Sequence, residues 1–140
     1  MDLSSFFREN SVKTEEIKYI VSTRFVDKNK KPVEWILKPV SSQLDEDLRR
    51  QSTIRTKNAT GQYQTDLDVN KYIGLLAVAC TVYPNLNDAN LQNSYNVMGA
   101  DSLLKTMLLP GEYANYLLKV QEICGFDKNI DDMVKQAKNL

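Results

Sequence analysis

The side chains of this sequence that could do chemistry are short carboxylate runs, two cysteines, a basic patch and an Asn-rich stretch; histidine is absent. Without histidine, no residue has an unperturbed pKa near neutrality. Ser-His-Asp and Cys-His catalysis are excluded, and so are His-ligated metal sites. The runs Asp45-Glu46-Asp47 and Asp131-Asp132 could act as acid and base or hold a cation. Both stand at expected helix starts, where the positive end of the helix dipole already accounts for carboxylates. No calcium-loop pattern accompanies them, and neither GxGxxG nor GxxxxGK[ST] occurs, so no metal, phosphate cradle or cofactor is expected.

Cys80 and Cys124 form no CxxC motif, which leaves no zinc cluster or thioredoxin-like motif. Both lie in apolar helical contexts and read as buried free thiols, with a disulfide or a reactive thiol as the alternative. Arg49, Arg50, Arg55 and Lys57, with Tyr63 nearby, form a basic patch. Such a patch reads first as solvated surface, then as a protein contact, and last as a nucleic-acid site. Pro84-Asn85-Leu86-Asn87-Asp88-Ala89-Asn90 reads as turn and cap chemistry rather than a ligand site.

These residues are carried by elements of two kinds. Leu3, Phe6 and Phe7 share one face of a short helix. Glu16–Val26 alternates with period two, placing Ile17, Tyr19, Val21, Thr23 and Phe25 on one face of a strand. After the turn at Asp27–Pro32, Val33, Trp35 and Leu37 continue a second strand, giving a β-hairpin. A lone hairpin is marginal in water, so helices must cover it. Ser42 can cap a helix running to about Ser52, with Leu44 and Leu48 inward. Thr53–Gln64 reads as a long polar loop or a second hairpin. Thr65–Tyr83, ended by Pro84, is the strongest helix and is apolar nearly all round from Tyr72 to Val82. Further helices are expected from Asn87 or Asp88 to Tyr95, over Ala100–Leu108, from Pro110-Gly111 to a Gly125 Schellman stop, and over Ile130–Lys138.

The 140 residues, at 42% hydrophobic and 26% charged, suit one domain with its own core. It is read as α+β: an N-terminal short helix and antiparallel β-hairpin followed by a compact bundle of about five to six α-helices, in one domain with the helix and hairpin over 1–40, a helix and polar loop over 41–64, and the helical bundle over 65–140. Eighteen basic side chains balance eighteen acidic ones, which argues against a general nucleic-acid binder. The first residues show no basic stretch followed by an apolar run, so no signal peptide is expected. The longest apolar run, Leu75–Cys80, is far short of the ~20 residues a membrane span needs. A cytoplasmic protein that is not an enzyme is the expectation, with no membrane or nucleic acid as partner.

One block says more than composition. Leu76-Ala77-Val78-Ala79-Cys80-Thr81-Val82-Tyr83-Pro84-Asn85-Leu86-Asn87-Asp88-Ala89 leads through Leu91–Ala100 to Leu103-Leu104-Lys105-Thr106-Met107-Leu108-Leu109-Pro110-Gly111-Glu112-Tyr113. With the hairpin from Phe25 to Trp35, the acidic helix start at Ser41-Ser42 and the ending Val120–Asp127, it resembles the XkdN-like tail assembly chaperones of contractile-tailed phages and prophage elements of Gram-positive bacteria. The resemblance covers essentially the whole chain. It implies a non-enzymatic role in the host cytoplasm: binding the tape measure protein and keeping it soluble during tail morphogenesis. Tail tube protein is a further implied partner.

A holdase needs adaptable apolar surface for amphipathic helices, and Met98, Met107 and Met133 could supply it. The expected contact residues are Leu104, Met107 and Leu108 as a groove, with Arg49, Arg50 and Arg55 as a flanking charged contact. The alternative reading is a structural tail or head-completion subunit. Residues 1–65 carry 12 basic and 9 acidic side chains and residues 66–140 carry 6 and 9, a +3/−3 split. Such a mild dipole could align copies in a homo-oligomer along a tape measure.

Overall fold

The computed structural model describes residues 2–126. Ser4–Phe6 is a single 3-10 turn whose first N–H is held by Asp2 Oδ1 at 2.9 Å. Strands β1 (Ile17–Tyr19) and β2 (Trp35–Leu37) are followed by helix α1 (Ser42–Gln51), then by β3 (Thr53–Lys57) and β4 (Tyr63–Leu67). Helix α2 (Val69–Cys80) leads directly into β5 (Thr81–Tyr83), and α3 (Ala89–Ser94), α4 (Ala100–Met107) and α5 (Pro110–Ile123) complete an α+β fold. The expected Ile130–Lys138 helix, with Met133 and the Asp131-Asp132 pair, lies outside the described residues.

The N-terminal hairpin forms, but its strands are shorter than the alternation suggests. β1 pairs antiparallel with β2, Ile17 opposite Leu37 and Tyr19 opposite Trp35. Beyond Tyr19 the chain leaves the ladder. The Ser22 hydroxyl accepts from the Arg24 N–H at 3.1 Å, and Asp27 Oδ1 accepts from the N–H groups of Asn29 and Lys31. Those local side-chain bonds offer the backbone an alternative to strand pairing. Only a tight ribbon survives there, with a Val26–Pro32 bridge. Phe25 still reaches the core, its ring 6.3 Å from that of Trp35.

β2 is the central strand of a three-stranded sheet, because β5 pairs on its other edge. The helix read as Thr65–Tyr83 is therefore cut at both ends. Asp68, not Thr65, caps α2 by accepting from the Lys71 N–H at 3.2 Å. At the other end the β-branched pair Thr81-Val82 turns extended and supplies the sheet edge. Ser41, rather than Ser42, caps α1. Leu48 points inward as expected, but Leu44 is exposed.

The core lies between this sheet and α2, α4 and α5. Trp35, Leu37, Leu76, Ala77, Cys80, Leu103, Leu104, Tyr116 and Val120 have almost no exposed surface. Tyr116 is the hub: its ring meets Trp35 edge-on at 5.3 Å and stacks with Tyr19 at 6.4 Å. Its hydroxyl bonds Thr81 Oγ1, so the buried phenol is satisfied. Arg24 ties the hairpin to the helices, donating from Nη2 to the Met107 carbonyl at 2.7 Å and to Glu112 Oε1 at 2.6 Å. Glu112 in turn accepts from the Leu109 N–H at the start of α5. α5 ends in a Schellman turn: the Phe126 N–H reaches the Gln121 carbonyl and the Gly125 N–H that of Glu122. Gly125 sits at φ +89°, a conformation that favours glycine.

Candidate interaction surfaces

The carboxylates of α1 that could act as acid and base are placed as structural partners. Along α1, Glu46 and Asp47 both bind Arg50, at 2.9 and 3.0 Å, one turn along the helix. Asp45 instead pairs with Arg49 at 3.0 Å and accepts a hydrogen bond from the Tyr72 hydroxyl. Arg49 also donates to that hydroxyl at 3.2 Å, and its guanidinium lies over the Tyr72 ring, 4.5 Å from the centroid. Burial, reinforced by the Asp45 carboxylate, pushes the Tyr72 phenol up to about 12. Among the described residues no group of three or more Cys, Asp or Glu is placed to hold a metal ion.

Arg49 and Tyr72 of the Asp45–Arg49–Tyr72 cluster line a groove. Its walls are Tyr72, Ile73 and Leu76 of α2, Gln121 of α5, and Phe126 just beyond α5, and it encloses about 200 Å³. A smaller cleft of about 60 Å³ shares Leu76 and Phe126 with it and extends toward Ser41, Asp45 and Cys124. The groove floor is apolar, Arg49 is a half-exposed cation on its edge, and Phe126 is half-exposed at its mouth. This is the pattern of an amphipathic-helix acceptor: an apolar floor with charge at the rim.

A second surface is the β3–β4 hairpin. Its base is closed by the Asp68 N–H on the Ser52 carbonyl at 2.7 Å. Its tip is held by Asn58, whose Oδ1 accepts from the N–H groups of Thr60 and Gln62. Nearly every residue of both strands is exposed. On one face Arg55 and Lys57 cover the Tyr63 ring, 4.2 and 5.2 Å from its centroid. The polar stretch read as loop or hairpin is thus a hairpin, and it presents a cationic, aromatic face.

The expected contact residues are divided by the structure. Leu104 is fully buried, and Met107 and Leu108 are each 6% exposed. They are core, because α4 turns this face onto α2 and the sheet, and a partner could reach Leu104 only by opening the fold. Met107 borders a cleft of about 190 Å³ shared with Phe25, Val33, Trp35, Pro84 and Leu91. That cleft and the groove have no lining residue in common, so the structure does not join the leucine stretch to the arginines. Arg49 reaches the groove, Arg55 lies on the hairpin, and Arg50 is held in its own ion pairs. Met98 is 91% exposed, standing free of the core. Sequence reasoning missed Phe126 and Gln121 as groove residues. The one available signal was that α2 is apolar on more sides than its neighbours could cover.

This fold, built around Tyr116 and the Leu76–Tyr113 block, is that of a phage tail assembly chaperone. The family model for the phage XkdN-like tail assembly chaperone proteins matches residues 3–138, and the chain belongs to that family. Among its relatives is XkdN of the phage-like element PBSX of Bacillus subtilis (strain 168), 35% identical over 140 residues, covering 99% of this chain and 94% of that one. YqbN of the same organism is also 35% identical, covering 99% and 93%. The crystal structure of YqbN superposes with a TM-score of 0.78 at 32% identity, covering 91% of this chain and 98% of the other.

Proposed function

We propose that this chain is a non-enzymatic holdase for the tail tape measure protein, acting in the host cytoplasm. The observation that carries the reading is the apolar groove between α1, α2 and the end of α5, rimmed by Arg49 and flanked by Phe126. A long helical client lays an apolar stripe into that groove, and acidic side chains beside the stripe meet Arg49 and the cationic hairpin face at Arg55. Family membership supports the assembly role, and the groove supplies what such a role needs: adaptable apolar surface without catalytic groups. No helix among the described residues is long and apolar enough to cross a membrane.

Co-expression with the cognate tape measure protein tests the reading. Wild-type chain should hold the client in the soluble fraction and co-purify with it. Phe126→Glu and Ile73→Glu should leave the chaperone folded by circular dichroism yet release the client to the pellet. A wild-type chain that leaves the client insoluble defeats the tape measure reading. Folded variants that protect as well as wild type defeat the groove.

A further inference from the structure

The fold brings together two cysteines that are remote in sequence. Cys80 is the last residue of α2 and is fully buried. Cys124 is the C-cap of α5, partly exposed, and lines the small cleft beside Phe126. Because α2 and α5 pack along each other, the two sulfurs stand 3.5 Å apart, in direct contact. A disulfide requires about 2.05 Å between sulfurs, so side-chain torsion has little distance left to close. Burial, and next the adjacent Cys124 sulfur, push the Cys80 thiol far above its ordinary range. Thiolate chemistry with a solvent-borne reagent therefore begins at Cys124, which the cleft exposes.

We propose that Cys124 is a modification site for low-molecular-weight disulfides such as oxidised glutathione, with Cys80 as the resolving thiol. Cys124 gives its proton to solvent, and its sulfur attacks one sulfur of the external disulfide. A mixed disulfide forms, and the first small thiolate leaves and takes up a proton. The Cys80 sulfur, buried and protonated but in contact with Cys124 Sγ, then attacks it as the Cys80 proton passes to the departing small thiolate, which breaks the mixed bond; contact, not a low thiol pKa, carries this slower step. Two protein thiols are oxidised by two electrons, and one external disulfide is reduced to two thiols. The contact of the two sulfurs gives the second step the advantage of proximity. The product clamps the end of α5 onto α2 and fixes Phe126 at the mouth of the groove.

The test uses the reduced full-length chain, treated with oxidised glutathione, quenched with N-ethylmaleimide and weighed intact. Wild type should lose both alkylatable thiols, become lighter by two hydrogens before alkylation, and remain a monomer on a non-reducing gel. Its Tm should rise by about 10 °C, the gain expected from closing a loop of this length, and dithiothreitol should reverse it. Cys80→Ala should stop at a stable glutathione adduct on Cys124. Cys124→Ser should stay unmodified with an unchanged Tm, which keeps the test decisive if Cys80→Ala does not fold. Wild type that stays reduced, stops at the adduct or links only between chains overturns the proposal.

Discussion

The hub around Tyr116 and the β3–β4 hairpin solve opposite problems. The hub buries Trp35, Leu104, Tyr116 and Val120 with almost no exposed surface, and at native packing density every atom there is felt. The hairpin pairs five residues with five yet exposes nearly all of both strands. An isolated two-stranded ribbon is marginal in water. This one is held by local devices: the Asn58 tip, the Ser52–Asp68 base and cations over Tyr63. Stability is concentrated in the hub, while the hairpin spends its residues on surface. The proposed holdase role would draw on both, a rigid frame and an exposed contact face.

The sharpest way to break this comparison is Tyr116→Ala. It empties the hub and removes the hydroxyl that bonds Thr81 Oγ1, and should cost about 3–5 kcal/mol in urea denaturation. Gly74→Val should come next. A Cβ at this position collides with the Asp101 carboxylate and comes within 3.3 Å of the Tyr113 hydroxyl, both on elements packed against α2. Asp101 can swing aside for one carbon, but the branched side chain should cost about 1–3 kcal/mol by the same measurement.

Glu112 tests the link between hairpin and helices through pH. Arg24 first, then Ser22 and the Leu109 N–H, hold its carboxyl down at about 2. A depressed folded-state value means its stabilisation is full above the ordinary value of 4.5 and is lost as the pH falls from there through about 2. Glu112→Gln should therefore be less stable than wild type at neutral pH, and the two urea midpoints should converge on acidification. The smallest effect is expected at the hairpin. Arg55→Ala with Lys57→Ala should shift stability by no more than about 0.5 kcal/mol while weakening capture of the client in pull-down. A large loss of stability there would show that the hairpin belongs to the frame after all.

What was legible in the sequence was local. Asp88 caps α3, Pro110 opens α5, and Gly125 ends it as their side-chain and backbone chemistry dictates. The misread positions share one cause. Thr81-Val82-Tyr83 continues an apolar helical run, and only the free edge of β2 makes it a strand. Val21 and Phe25 keep the inward face that alternation gives them, yet the turn bonds of Ser22 and Asp27 remove them from the ladder. For the surface the reason is similar. Leu104, Met107 and Leu108 are apolar whether they face a partner or a core, and periodicity cannot say which.

The sequence by itself determined the α+β class, the start of α3 and both ends of α5, the absence of histidine chemistry and, through the Leu76–Tyr113 block, the family. The tertiary structure alone decided which apolar stripe is covered. It placed α4 over α2 and, among the described residues, left the groove by Phe126 open. It also set Cys80 against Cys124 and joined Arg24 to Glu112 across the fold. Capping and turn formation are settled within a few residues. Burial and long-range pairing depend on neighbours remote in the sequence, as Arg24 and Glu112 are at a separation of 88.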